Sequence, residues 1–300
     1  MRRLILLLLL VFSTAYVHAS PKSIYIVLSS GDEVYYKIGN ALSEQFSHSE
    51  FPIDHIKVIT LNEEQFDTIK EDDLIVAIGN KAAEESYRYR FSNTIIYSFV
   101  EQNKISEIYQ GNEFKDWAAI TVNQPVERLI SIADNLVKNK YKNKIVIVIS
   151  QNNVQLKRAI NAIKPLKKGQ IEIVEIQPDD VVAKVVEKSL FNAAALISTD
   201  EENIWSGTNA KGLLRQAYNY QVPIVGNSKR FLKAGALISV YSSMEKISEA
   251  TLQLMQQWFD DQMLTSTGIH YVPSTIDINK NIAQVLHYNM NVLQTLEVGE

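Results

Sequence analysis

NYQVPIVGNSKRFLKAGALISVYSSMEK, residues 219–246, holds two apolar runs of strand character with little between them. The first, 222–225, ends at Gly226-Asn227-Ser228, a polar turn of the kind that opens a helix. The second, 236–240, follows Lys233-Ala234-Gly235 and leaves no room for the full crossover helix that joins parallel neighbours. Neither run carries a residue suited to catalysis. The pair makes sense if one strand finishes a lobe and the other carries the chain out of it. Beyond lies an amphipathic pattern at Met244, Ile247, Thr251, Leu254, Met255 and Trp258, a helix that would pack on the lobe being entered.

Outward from this stretch, strand and helix signals alternate almost from end to end. Apolar runs at 24–28, 56–59, 74–78, 94–99, 118–122, 144–149, 171–176, 194–198 and 275–278 join the two above. Their continuous Val/Ile/Leu/Ala character fits parallel strands covered on both faces. Between them, Val126, Leu129, Ile130, Ala133, Leu136 and Val137 form an apolar helical face, with Pro125 suited to the first turn. About eleven strands are many for one open sheet. The expected architecture is therefore α/β, with two Rossmann-like lobes of parallel sheet joined by a hinge of three strands. Crossings are expected at 120–123, 235–241 and 275–279. Lobe 1 would comprise 20–120 and 241–274, and lobe 2 would comprise 121–240 and 275–300.

The first residues indicate export. Arg2 and Arg3 precede an apolar run at 4–12, and Val17-His18-Ala19 offers a small-x-small cleavage site. The run is short of the roughly 20 residues that span a bilayer, so residues 1–19 read as a cleaved signal peptide, with a retained N-terminal anchor as the alternative. A periplasmic chain starting at Ser20, without a membrane anchor, is the expectation. There is no cysteine, hence no disulfide, thiolate metal site or cysteine nucleophile. Without Arg2 and Arg3 the balance is 28 basic against 34 acidic residues, a net charge of −6, and no basic stripe invites nucleic acid.

In open α/β sheets, ligands sit outside the carboxyl ends of the strands. That rule selects the turns that follow the runs. In the first half they contain Ser30, Asp32, Gly79, Asn80, Lys81, Ala82 and Glu101; in the second they contain Ser150, Asn152, Thr199, Asp200 and Asn227. Helix starts follow most of them, giving N–H groups and a positive dipole end. Gly79-Asn80-Lys81-Ala82 is the best cradle for a carboxylate, and Asp200 the best partner for an ammonium group. Ser, Asn and Asp at such places also cap helices, so each has a second reading. Tyr35, Tyr36 and Trp205 could stack on an apolar ligand or lie in the core. Glu201 and the run Glu71-Asp72-Asp73 read as solvated charge, which is also the second reading of Glu101.

Enzyme signatures are lacking: no Gly-x-Gly-x-x-Gly after a strand, no phosphate loop, no nucleophile elbow. His48, His55, His270 and His287 are scattered without metal-ligand spacing. No cofactor is expected.

Three segments carry a family resemblance. DLIVAIGNKAAE (73–84), VPIVGNSKRFLKAGALISVYSSMEKISE (222–249) and TIDINKNIAQVL (275–286) are similar, in order and spacing, to the ABC-transporter substrate-binding proteins of the tryptophan-binding type. These belong to the type I periplasmic binding proteins. The resemblance runs from Lys22 to about Met290. It implies two lobes with three crossovers and a small ligand in the cleft, an amino acid or similar zwitterion. It also implies an ABC permease as partner, with a membrane sensor or an exported α/β enzyme as rival outputs, and a monomer. Asp200 matches the family's Asp after a second-lobe strand. Val100-Glu101-Gln102 stands where typical members carry Asp-Pro.

Overall fold

The computed structural model describes residues 22–47, 51–61, 66–90, 92–109, 116–163, 166 and 168–296. The expected signal peptide, the start at Ser20 and His48 lie outside them.

Twelve strands occur among the described residues: β1 Ile24–Leu28, β2 Ile56–Thr60, β3 Leu74–Ile78, β4 Thr94–Val100, β5 Trp117–Thr121, β6 Lys144–Ser150, β7 Gln170–Ile176, β8 Ala193–Ile197, β9 Ile224–Gly226, β10 Ile238–Tyr241, β11 Gly268–His270 and β12 Thr275–Ile278. They form two six-stranded sheets, ordered β11-β5-β4-β3-β1-β2 and β12-β10-β9-β8-β6-β7. The two orders repeat one plan, a doubly wound sheet whose switch point lies between its first and third strands. β1, β3 and β8 are buried along their whole length, as strands covered on both faces must be.

Helices Glu33–Phe46 and Met244–Asp261 cover one face of the first sheet, and Asn80–Arg90 with Gln102–Ile108 cover the other. On the second sheet, Val126–Asn135 and Lys280–Val285 cover one face, and Val182–Leu190 with Gly207–Asn219 cover the other. After each fifth strand the chain changes lobes. The helix following β5 packs on the second sheet, and the helix following β10 packs on the first. Thr251 pins that second helix through a buried 2.6 Å hydrogen bond between its hydroxyl and that of Ser98 on β4.

The opening stretch needs a correction. β10 does not lead out of the second lobe; it is that sheet's fifth strand, parallel to β9. A helix of six residues, Lys229–Ala234, completes the crossover. Gly235, at φ 112°, then reverses the chain in a left-handed conformation that L-residues disfavour. The passages between lobes are residues 122–125, 242–243 and 271–274, irregular backbone rather than strands. β11, a three-residue edge strand, was not anticipated from sequence. β12 is antiparallel to β10, unlike every other strand pairing described in the two sheets. The reason is directional: β10 ends at the junction, whereas β12 begins there and must run back. Asp73 is another correction. It is buried, and its carboxylate accepts the N–H groups of Ser23 and Lys70, both at 2.8 Å, tying the start of β1 to the turn before β3.

At the first switch point, Gly79 has φ 88°, and a Cβ there would lie 2.7 Å from Ser29 Oγ and 2.9 Å from the Tyr35 ring. Gly235 is equally left-handed but has nothing within 4 Å of such an atom. Gly235→Ala should therefore cost about 1–2 kcal/mol, the backbone strain alone. Gly79→Ala should cost clearly more in denaturant melts. Equal costs would show that the turn relaxes freely.

Candidate functional site

The carboxyl ends of the strands in both lobes face a cleft of about 1440 Å³, with a recess of about 450 Å³ beside it in the first lobe. Asn80 and Glu101 line both. The cleft exceeds the roughly 300–1,000 Å³ of a formed ligand pocket, as befits lobes standing apart.

In the first lobe, Ser29 closes the switch point. Its hydroxyl donates to the Ile78 carbonyl at 2.8 Å and accepts the Ala82 N–H at 2.9 Å. Asn80 Oδ1 accepts the Glu101 N–H at 2.8 Å, locking the turn after β3 to the turn after β4. Ser30 donates to Asp32 at 2.7 Å, a local turn on the rim of the recess. Tyr35 and Lys81 also line the recess. Its apolar wall includes Phe99 and Val122, which sequence reasoning missed. Phe99 has φ 57°, in the left-handed region where a bulky residue is an outlier, and sits where β4 slips register against β5. No sequence signal marks it, because Phe99 reads as strand.

In the second lobe, Glu201 proves structural rather than solvated: both carboxylate oxygens accept the Ser150 N–H, at 3.1 and 2.9 Å. Ser198 accepts the Asn227 N–H at 2.9 Å and donates to Asn227 Oδ1 at 3.2 Å. The Thr199 hydroxyl reaches the Val148 carbonyl at 3.4 Å. Ser150, Asn152, Thr199, Asp200 and Asn227 line the cleft. Asn123 and Tyr271, from two of the passages between lobes, join them, together with the stacked pair Tyr109–Trp117, whose ring centroids are 4.0 Å apart.

Three of the expected residues lie elsewhere. Trp205 is buried in the second lobe's core, edge-on to Phe231 at 5.6 Å. Ala82 is fully buried with its N–H already engaged, and Gly79 shapes the turn from behind, donating its N–H to the Ser98 carbonyl at 2.8 Å. The cradle expected at 79–82 is thus largely closed by the protein's own acceptors.

Glu101 and Asp200 approach from opposite lobes. Burial pushes the Glu101 carboxyl above the ordinary range; Asn80 pulls it back, Glu202 and Asp200 push it up by repulsion, and Arg230 lowers it. Burial likewise raises Asp200, opposed only by its own backbone N–H. The Tyr271 hydroxyl is pushed up to about 12, by burial and then by the negative charge of Glu127 and Asp200. Among the described residues no three His, Asp or Glu side chains converge as a metal site.

No family model matches this sequence, and no curated protein does. Solved structures do match. A ligand-free, open substrate-binding protein with adhesive properties from Clostridium difficile superposes with a TM-score of 0.66 at 12% identity, over 90% of this chain and 96% of that one. An ABC domain in complex with L-Trp from Streptococcus pneumonia gives 0.55 at 16% identity, over 91% and 98%. A periplasmic ribose ABC transporter protein from Conexibacter woesei gives 0.54 at 9% identity, over 92% and 98%. The fold is that of the type I periplasmic binding proteins: two α/β lobes, each with a six-stranded, mainly parallel sheet. At these identities the likeness speaks for the fold alone.

A carboxyl whose folded pKa lies above its unfolded one stabilises the fold fully below the unfolded value, and that contribution is lost as pH rises through the folded value. Charged Glu101 therefore opposes folding at neutral pH. Glu101→Gln should raise the melting temperature at pH 7, with the gain shrinking as pH falls toward about 4. A variant less stable than the parent at pH 7 would mean that Glu101 has a stabilising partner.

Proposed function

We propose that this is an exported binding protein that closes its two lobes on a small ligand bearing an ammonium group, amino acids being the reference class, and delivers it to an ABC transporter in the periplasm. The observation that carries the reading is Asp200: half-buried in the interlobe cleft, raised by burial, and without a basic partner among the described residues. A buried carboxylate left unpaired is costly, and such groups persist where a ligand supplies the partner. Supporting it are the leader-like sequence pattern at 1–19, the position of the cleft at the carboxyl ends of both sheets, and a hinge of three passages. Tyr109, Trp117 and Tyr271 offer aromatic faces, which attract cations as well as apolar groups.

A thermal-shift screen against amino acids and small amines would find the ligand, since a compound that binds only the folded state stabilises it. Calorimetry with the compound so found should show Asp200→Asn weakening affinity about ten- to a hundredfold, the worth of one charge-assisted hydrogen bond. Unchanged affinity would leave Asp200 outside the contact. Stabilisation by neutral sugars alone would overturn the ammonium reading itself.

A further inference from the structure

We infer that the cleft is built for a net cation, and that among ammonium-bearing ligands it selects those that present neutral oxygens in place of a carboxylate; this rests on the binding-protein reading above. Three observations converge on it.

The first is charge. Six carboxylates line the cleft against one lysine, Lys104, whose ammonium is held by Glu107 at 2.9 Å. Glu201 is occupied with the Ser150 N–H. Glu101, Glu127, Asp200 and Glu202 remain; Glu101 stands across from Asp200 and Glu202, each of which repels it more than Arg230 attracts it. Closing the lobes without a cation brings like charges together; a cation between them turns repulsion into attraction.

The second is the fate of the turn N–H groups that would hold a ligand carboxylate. In the first lobe Ala82 donates to Ser29, Glu101 to Asn80 and Gln102 to Asn123. In the second, Ser150 donates to Glu201 and Asn227 to Ser198. These turn N–H groups are engaged from within, and the Glu101 carboxylate stands beside the first set.

The third is independent of charge. Asn123 and Asn227 are 8% and 9% exposed and line the cleft. Each commits its Oδ1 as an acceptor, to the Gln102 N–H at 2.9 Å and to the Ser198 hydroxyl at 3.2 Å. Each amide nitrogen is left as a donor with no partner among the described residues. Neither nitrogen is among the buried unpartnered atoms, so each opens to the cleft as a donor, and beside so many carboxylates a hydroxyl or amide oxygen of the ligand fits it better than an anion. Among the described residues no three carboxylates converge as a metal site, and the aromatic faces of Tyr109, Trp117 and Tyr271 suit an organic cation. Amino-acid amides, amino alcohols and amino sugars have this chemistry.

Matched pairs isolate the charge: tryptophanamide against tryptophan, leucinamide against leucine, and glucosamine against glucose, each by thermal shift and calorimetry at pH 7 on the mature chain. The cationic member of the best-binding pair should bind at least about tenfold more tightly. In the double variant Glu101→Gln/Asp200→Asn that preference should collapse. Free amino acids binding as well as their amides would overturn the inference while leaving the binding-protein reading intact. Glucose alone binding would overturn both, and no response to any cationic member at millimolar concentration would overturn the inference.

Discussion

One buried amide holds the two lobes in register. Gln124, in the first passage between lobes, donates through Nε2 to the Ser242 hydroxyl of the second at 2.8 Å and to the Val272 carbonyl of the third at 3.1 Å. Its Oε1 accepts from Arg128, and the Ser242 N–H reaches the Val122 carbonyl at 3.4 Å. Three separate stretches of chain are thereby gathered at one junction. A buried amide must keep its partners or lose about 1–3 kcal/mol for each one orphaned, so the junction resists coming apart while the irregular backbone around it can absorb rotation. The rest follows from that gathering. Fifth strands must end at the junction, β12 must run away from it, and the carboxyl ends of both sheets must face one another across the cleft.

The site is costly where the core is not. β1, β3 and β8 bury apolar side chains on both faces, and the turns at their ends satisfy one another: Ser29 with Ala82, Glu201 with Ser150, Ser198 with Asn227. Into that rigid frame are set Glu101 and Asp200, held above their ordinary range by burial, and Phe99 in a conformation that opposes its side chain. Local rules broken without a compensating gain inside the protein mark places shaped for something outside it.

Much of this was legible in the sequence, because buried parallel strands write long apolar runs and the helices Val126–Asn135 and Met244–Asp261 write their faces in period 3.6. What was not legible is informative. The allegiance of β10 turned on whether six helical residues and a left-handed glycine suffice for a crossover, which run length does not reveal. β11 is three residues on an edge, too short for any periodicity. Asp73 and Glu201 look like solvated acids until the chain brings distant N–H groups to them. Trp205 follows a cleft turn but points into the core. In each case the deciding contact lies far away in sequence. The turn rule placed Asp200 and Glu101 at the cleft, because it depends only on where strands end.

The account's central claim is that the lobes close on the ligand, and the lack of cysteine makes it directly measurable. Asn103 and Asn152 are exposed on opposite sides of the cleft mouth, and replacing both with cysteine allows a pair of spin labels. Adding a saturating amount of the compound that most stabilises the protein should replace the ligand-free distance distribution with a shorter, narrower one. A distribution unchanged by a compound that calorimetry shows to be bound would contradict closure, and with it the reading of the cleft as the working site.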